Sequence, residues 1–183
     1  MSRPSASGGE ITERLAATRL LALDVDGVLT DARVVYADDA EWQAFSVRDG
    51  QGLVWLREAG VVLVWITGRG CAATQRRAEE LGVTEIHTRV AKKGAKLAEV
   101  QERLGIDVAE TVAMGDDLPD LALAAHAGVF ACPADADAEV RARAALVMTA
   151  PGGAGAVREL AERILRAKRL WQDLVARHAA DSG

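Results

Sequence analysis

The sequence predicts an α/β protein in which a parallel β-sheet is sandwiched by helices, with one β-hairpin inserted near its start. Two observations carry this. Short apolar runs alternate with amphipathic helical stretches along the chain, the pattern of strands joined by crossover helices. Only residues 33–47 break that alternation, with two β-prone runs either side of Ala37-Asp38-Asp39-Ala40-Glu41.

In chain order, the Ser/Gly/Pro-rich residues 1–9 are expected to be disordered, and residues 10–19 to form a short leading helix with Ile11 and Leu15 spaced i, i+4. Strands are predicted at residues 20–25, 61–66, 85–90, 111–114, 129–132 and 146–149. Helices are predicted at residues 52–59, 71–81, 92–104, 118–127, 138–144 and 155–178. The hairpin, about residues 31–48, follows the first strand directly, with Arg33 to Tyr36 and Trp42 to Val47 as its arms. Trp55 and Trp65 read as core residues, and Trp42 as an aromatic side chain covered by another subunit.

With 183 residues the chain fits one domain, here residues 10–183, and leaves no room for a separate cap domain. A net charge of −5 without a dense basic block argues against nucleic acid and anionic membranes as partners. The longest apolar run, residues 61–66, is far short of the ~20 that cross a bilayer, and no basic-then-apolar leader opens the sequence; a cytoplasmic address is expected. Cys71 and Cys132 are isolated from each other and from histidine, so neither a zinc site nor a disulfide framework is implied.

In parallel α/β sheets ligands bind at the carboxyl ends of the strands. The polar residues ending the apolar runs therefore locate function. The first run ends in Asp24-Val25-Asp26-Gly27-Val28-Leu29-Thr30, the second in Thr67-Gly68-Arg69; Lys92-Lys93 follows the third and Gly115-Asp116-Asp117-Leu118-Pro119-Asp120 the fourth. Taken singly, these signals are weak: Thr67 could be a helix cap, Lys93 a solvated helix start, and an acidic pair a solvated turn.

Together and in this order they resemble the haloacid dehalogenase superfamily, whose motifs are Asp-x-Asp after the first strand, a Thr or Ser, a Lys, and a terminal acidic cluster. The resemblance implies a Mg2+-dependent phosphohydrolase with Asp24 as nucleophile. A carboxylate attacking a phosphate dianion needs a cation to offset their repulsion, and Asp24, the backbone carbonyl of Asp26 and Asp116 are the expected ligands, with Asp117 and Asp120 behind them. Asp26 would protonate the leaving group and then deprotonate water, Thr67 would donate to a phosphoryl oxygen, and Lys93 would supply fixed positive charge.

Within that superfamily the chain is similar to the cap-less 3-deoxy-D-manno-octulosonate 8-phosphate phosphatases and to the phosphatases of nonulosonate 9-phosphates. The shared marks are DVDGVLTD, the segment from Phe45 to Gly52, Ile66 to Arg69, GDDLPD, and Gly152 to Glu159. This likeness implies a homotetramer whose hairpin closes a neighbouring site. It also implies a sugar-acid phosphate substrate met by Asp26, Ser46, Val47, Arg48, Asp49, Gly50, Arg69, Arg77 and Lys93, with Arg158 a further candidate beside the Gly152 to Gly155 turn. Arg48 could instead pair locally, and Arg77 could lie on an exposed helix face. Two other readings stay open: a receiver-type signalling module, disfavoured by motif order, and a catalytically silent tetramerisation module, disfavoured by the intact motifs.

Overall fold

In the computed structural model, which describes residues 8–37 and 40–180, six parallel strands form one sheet. They are β1 (Leu20–Leu23), β4 (Val62–Ile66), β5 (Glu85–His87), β6 (Thr111–Met114), β7 (Val129–Cys132) and β8 (Leu146–Val147), in the order β5-β4-β1-β6-β7-β8. The chain builds outward from β1 through β4 to β5, then crosses to β6 on the other side. A crevice therefore opens at the carboxyl ends of β1 and β6, where the winding direction changes.

Side chains on β1 alternate between two cores, as the two-residue period of a strand requires. Leu21 and Leu23 face Leu53 and Leu56 of α2 (Val47–Glu58), Leu15 of α1 (Gly8–Ala16), and Leu160 and Ile164 of α7 (Ala156–Ala167). Leu20 and Ala22 face Leu97 and Val100 of α4 (Lys93–Leu104), Leu123 of α5 (Leu121–Ala124) and Val140 of α6 (Ala138–Arg141). Covered on both faces, β1 is wholly buried, which explains its reading as a continuous apolar run. The carboxyl groups just beyond it are thereby held on a rigid base.

The hairpin is smaller than the sequence suggests. It consists of β2 (Val35–Ala37) and β3 (Ala40–Trp42), paired antiparallel from Val35 opposite Trp42; Asp38 and Asp39 lie outside the described residues. The expected second arm, residues 42–47, ends at Trp42 because Ser46 caps α2, its hydroxyl accepting from the Asp49 N–H. Ser46-Val47-Arg48-Asp49 is a capping signature, and it moves the helix start from the predicted 52 to 47. At the other terminus the predicted helix 155–178 is two helices, α7 and α8 (Trp171–Ala180). Arg169 turns left-handed at φ 61°, and the Leu170 N–H reaches back to the Leu165 carbonyl, the six-to-one bond of a helix stop made here without glycine. The leading helix begins at Gly8 and so takes in two residues of the expected disordered stretch 1–9; residues 1–7 lie outside the described residues.

Trp65 is fully buried and stacks with Phe45 at 6.5 Å, while Trp55 is only half-buried, edge-on to Trp171 at 5.8 Å. Trp42 is 62% exposed and, with Val35 opposite it, leaves one face of the ribbon apolar, while Tyr36 lies opposite Glu41 on the other face.

Candidate active site

Past β1 the chain enters a tight turn in which Gly27 has φ 81°, a left-handed conformation that glycine adopts without steric cost. A Cβ at Gly27 would lie 2.0 Å from Asp116 Oδ2, so its absence lets the acidic loop after β6 approach the loop after β1. That acidic loop shapes itself. Asp120 folds back so that its Oδ2 accepts from the N–H groups of Asp116 (3.0 Å) and Asp117 (3.3 Å), and a Cβ on Gly115 would strike Asp120 at 2.2 Å. Asp117 accepts from Leu118 N–H at 2.8 Å, and its side chain also accepts from the Asp120 N–H, which with the Asp120 bond to the Asp117 N–H makes a capping box around the 3-10 turn Leu118–Asp120.

Lys93 arrives from the first turn of α4, an end of a helix that disfavours positive charge. Two carboxylates offset this. Its Nζ donates to Asp120 Oδ1 at 2.6 Å and forms an ion pair with Asp24 Oδ1 at 2.8 Å, with Lys93 only 7% and Asp24 only 5% exposed. Carboxylate oxygens of Asp24, Asp116 and Asp120 come within 4.8 Å of one another. Both oxygens of Asp120 are already occupied, by Lys93 and by backbone N–H groups, whereas Asp116 Oδ1 is buried without a hydrogen-bond partner.

Crowding appears in the acidities. Burial, with repulsion from Asp120, pushes Asp24 up to about 7 against the pull of Lys93. Burial and the charges of Asp120, Asp24 and Asp117 push Asp116 up to about 8. For Lys93, burial opposes the charged form, but Asp24 and Asp120 outweigh it and raise the ammonium above its usual value. Three carboxyls around one lysine thus lack positive charge, and the all-oxygen donor set suits a hard divalent cation such as Mg2+.

Since the folded-state values of Asp24 and Asp116 exceed that of an ordinary aspartate, the metal-free protein holds extra protons and loses stability as pH rises from about 4 to about 8. A cation must displace those protons, so Mg2+ affinity should climb through about pH 6 to 8, by up to about tenfold per pH unit for each proton displaced. Calorimetric titration in buffers of different ionisation enthalpy should detect proton release at pH 7; none would contradict this electrostatic picture.

Asp26, half-buried, lies across the crevice. Its Oδ1 accepts from Gln43 Nε2 at 2.7 Å, and its Oδ2 from Thr67 Oγ1 at 3.4 Å with Arg69 Nε 4.0 Å away. Asp24, Asp26, Thr67, Arg69, Lys93, Asp116, Asp117 and Asp120 all line one open cleft of about 530 Å3.

The remaining sequence candidates do not line it. Asp49 is 1% exposed, and its carboxylate accepts from the N–H groups of Gly155 (3.1 Å) and Arg158 (2.7 Å), capping α7. Arg158 stacks 4.1 Å over Trp55 and pairs with Glu162 at 2.8 Å. Arg77 pairs with Glu80 and donates to the Ser46 carbonyl, and Gly50 leaves it space, since a Cβ there would meet Arg77 at 2.1 Å. Ser46 is a helix cap; Val47 and Arg48 point to solvent. The Gly152 to Gly155 turn is used for close backbone passage: a Cβ on Gly152 would lie 1.9 Å from the Gly27 carbonyl oxygen.

Two residues went unnoticed in the sequence. Gln43 reaches Asp26 from the hairpin base, an approach set by tertiary packing. Arg89 lines the cleft with φ 56°, a strained conformation for a branched-chain or long side chain, and its guanidinium forms no ion pair among the described residues.

A model of the haloacid dehalogenase-like hydrolases matches residues 79–159. The chain is 34% identical over 160 residues to the 3-deoxy-D-manno-octulosonate 8-phosphate phosphatase of Yersinia pestis, covering 87% of this chain and 86% of the relative. Its structure superposes with a TM-score of 0.91 on that of the Moraxella catarrhalis phosphatase of the same name in complex with magnesium, phosphate and KDO, at 37% identity and covering 93% and 99% of the two chains. A cobalt-bound Haemophilus influenzae counterpart gives a TM-score of 0.84 at 31% identity, covering 86% and 93%. Fold, motif order and these matches define a phosphatase of the haloacid dehalogenase class. Within that class, the chain belongs to the 3-deoxy-D-manno-octulosonate 8-phosphate phosphatase family.

Proposed function

We propose that this chain is a Mg2+-dependent phosphomonoesterase that removes the phosphate of 3-deoxy-D-manno-octulosonate 8-phosphate through an aspartyl-phosphate on Asp24. The observation that carries the proposal is the buried cluster of Asp24, Asp116 and Asp120 around Lys93, with an unpartnered carboxylate oxygen on Asp116. Asp24, Asp116 and the backbone carbonyl of Asp26 would hold the metal. When bound, Mg2+ supplies the positive charge that allows a carboxylate and a phosphate dianion to approach.

Asp24 attacks phosphorus while the bond from phosphorus to the sugar oxygen breaks, and Asp26 delivers its proton to that oxygen. Lys93 and Thr67 offer donors to the phosphoryl oxygens as charge develops, and Asp120 keeps Lys93 aimed. Water then attacks the phosphorus of the intermediate. Asp26 takes the proton from that water, phosphate leaves, and the Asp24 carboxylate is restored.

Two guanidinium groups at the cleft fit an acidic sugar. Arg69 is engaged by Glu41 at 2.7 Å, while Arg89 is free to meet the substrate carboxylate. An assay of sugar-acid phosphates with Mg2+ tests the reading, with the octulosonate 8-phosphate expected to give the highest kcat/KM. A nonulosonate 9-phosphate turned over at least tenfold faster would redirect the assignment to the sister activity.

The open cleft and the apolar hairpin face also support a closed, symmetric homotetramer in which Val35 and Trp42 meet a neighbouring subunit. Sedimentation at micromolar concentration should give four subunits, and Trp42→Asp should dissociate them. A fully active monomer would exclude this assembly.

A further inference from the structure

The reading of Asp26 as the proton donor raises the question of what aims it, since its carboxyl group is only half-buried and sits on a loop. Gln43 provides the fixed contact. Its Nε2 donates to Asp26 Oδ1 at 2.7 Å, while its Oε1 accepts from Thr74 Oγ1 at 2.5 Å and from Cys71 Sγ at 2.9 Å. The contact with the Asp26 carboxylate sets the amide orientation, because that group only accepts. Turned over, the amide would present its oxygen to a carboxylate oxygen and lose the bond to Asp26, while the Thr74 hydroxyl could accept from the NH2 in its place. Thr74 is buried on α3 (Ala72–Leu81), so the amide is anchored to a rigid helix.

The geometry then distinguishes the two oxygens of Asp26. Oδ1 faces an N–H and has no acceptor there for a proton of its own. Oδ2 lies toward Thr67 and Arg69, both lining the cleft. We propose that Gln43 is a positioning residue for proton transfer: it holds Oδ1 of Asp26 so that Oδ2 is the oxygen presented to the leaving group. This rests on the assignment of Asp26 as general acid and adds a residue from the hairpin base, acting within its own subunit.

The test exploits leaving-group chemistry. An alkoxide leaving from a sugar phosphate needs a proton in the transition state, whereas p-nitrophenolate leaves without one, and kcat/KM reports the steps up to phosphoryl transfer to Asp24. Gln43→Leu should lower kcat/KM for the sugar-acid phosphate by about tenfold or more, through kcat with KM little changed, and for p-nitrophenyl phosphate by less than about threefold. Thr74→Val, which removes one anchor of the amide, should show the same selectivity more weakly and serves if Gln43→Leu folds poorly. Equal losses on both esters, or none on either, would overturn the proposal. Asp26→Asn, assayed on the same pair, separates the two claims. If it shows the selectivity and the Gln43 and Thr74 variants do not, only the positioning role fails; if it does not, the assignment of Asp26 fails first.

Discussion

Asp24→Asn is expected to abolish phosphatase turnover while the protein still folds. An amide is a poor nucleophile toward phosphorus and cannot form the acyl phosphate, and removing a nucleophile costs several orders of magnitude in kcat. The fold should survive because Asn fills the same space and Lys93 retains Asp120 at 2.6 Å. Asp24 is also one of three mutually repelling carboxyls, and its burial raises its pKa to about 7. Deleting that charge should leave the metal-free variant as stable as the parent near pH 8, or more so, by thermal melting. Residual turnover above about one per cent would count against Asp24 as nucleophile, given a nucleophile's usual contribution.

Removal of the divalent cation should be comparably severe. Without it the substrate dianion would face Asp24 and Asp116 with Lys93 as the nearest positive charge, and Lys93 is already shared between two carboxylates. Chelation should reduce activity to background, Mg2+ should restore it, and Ca2+ should restore it poorly because its larger radius and higher coordination number alter the approach to phosphate. Asp116→Asn should imitate chelation by raising the Mg2+ concentration needed for half-maximal rate. Its Oδ1 is buried without a hydrogen-bond partner, so the loss should appear in metal dependence before stability. Full activity after exhaustive chelation would rule out the metal's role.

The parallel sheet was legible because its four central strands, β1, β4, β6 and β7, are buried on both faces and therefore read as unbroken apolar runs separated by amphipathic helices. The site cluster was legible for a related reason. Asp24, Thr67 and Asp116 each sit at or just beyond a strand end, where a polar residue following apolar ones stands out, and Lys93 opens the helix that follows β5. Misread regions were those where one local signal competed with another. Phe45 and Val47 favour a strand, but the Ser46 cap and Asp49 start a helix, and Gly50 and Gly52 in its first turns lowered the apparent helix propensity. The division between α7 and α8 has no glycine or proline to mark it, only Arg169 in a left-handed turn.

Residues carrying long-range roles were the least readable. Asp49 looks like a pocket acid beside Arg48, yet it caps a helix more than a hundred residues away. Arg158 looks like an anion contact, yet two tryptophans and Glu162 hold it elsewhere. Gln43 carries no local signal, because its importance depends on the hairpin folding back over the loop after β1.

A double displacement at phosphorus through Asp24 is tested most directly by the stereochemical course of the reaction. A phosphorothioate analogue of the substrate, made chiral at phosphorus with sulfur and two oxygen isotopes and hydrolysed in water carrying the third, should give inorganic thiophosphate of retained configuration, because two in-line displacements each invert it. Net inversion would mean that water attacks the substrate directly, and would contradict the account.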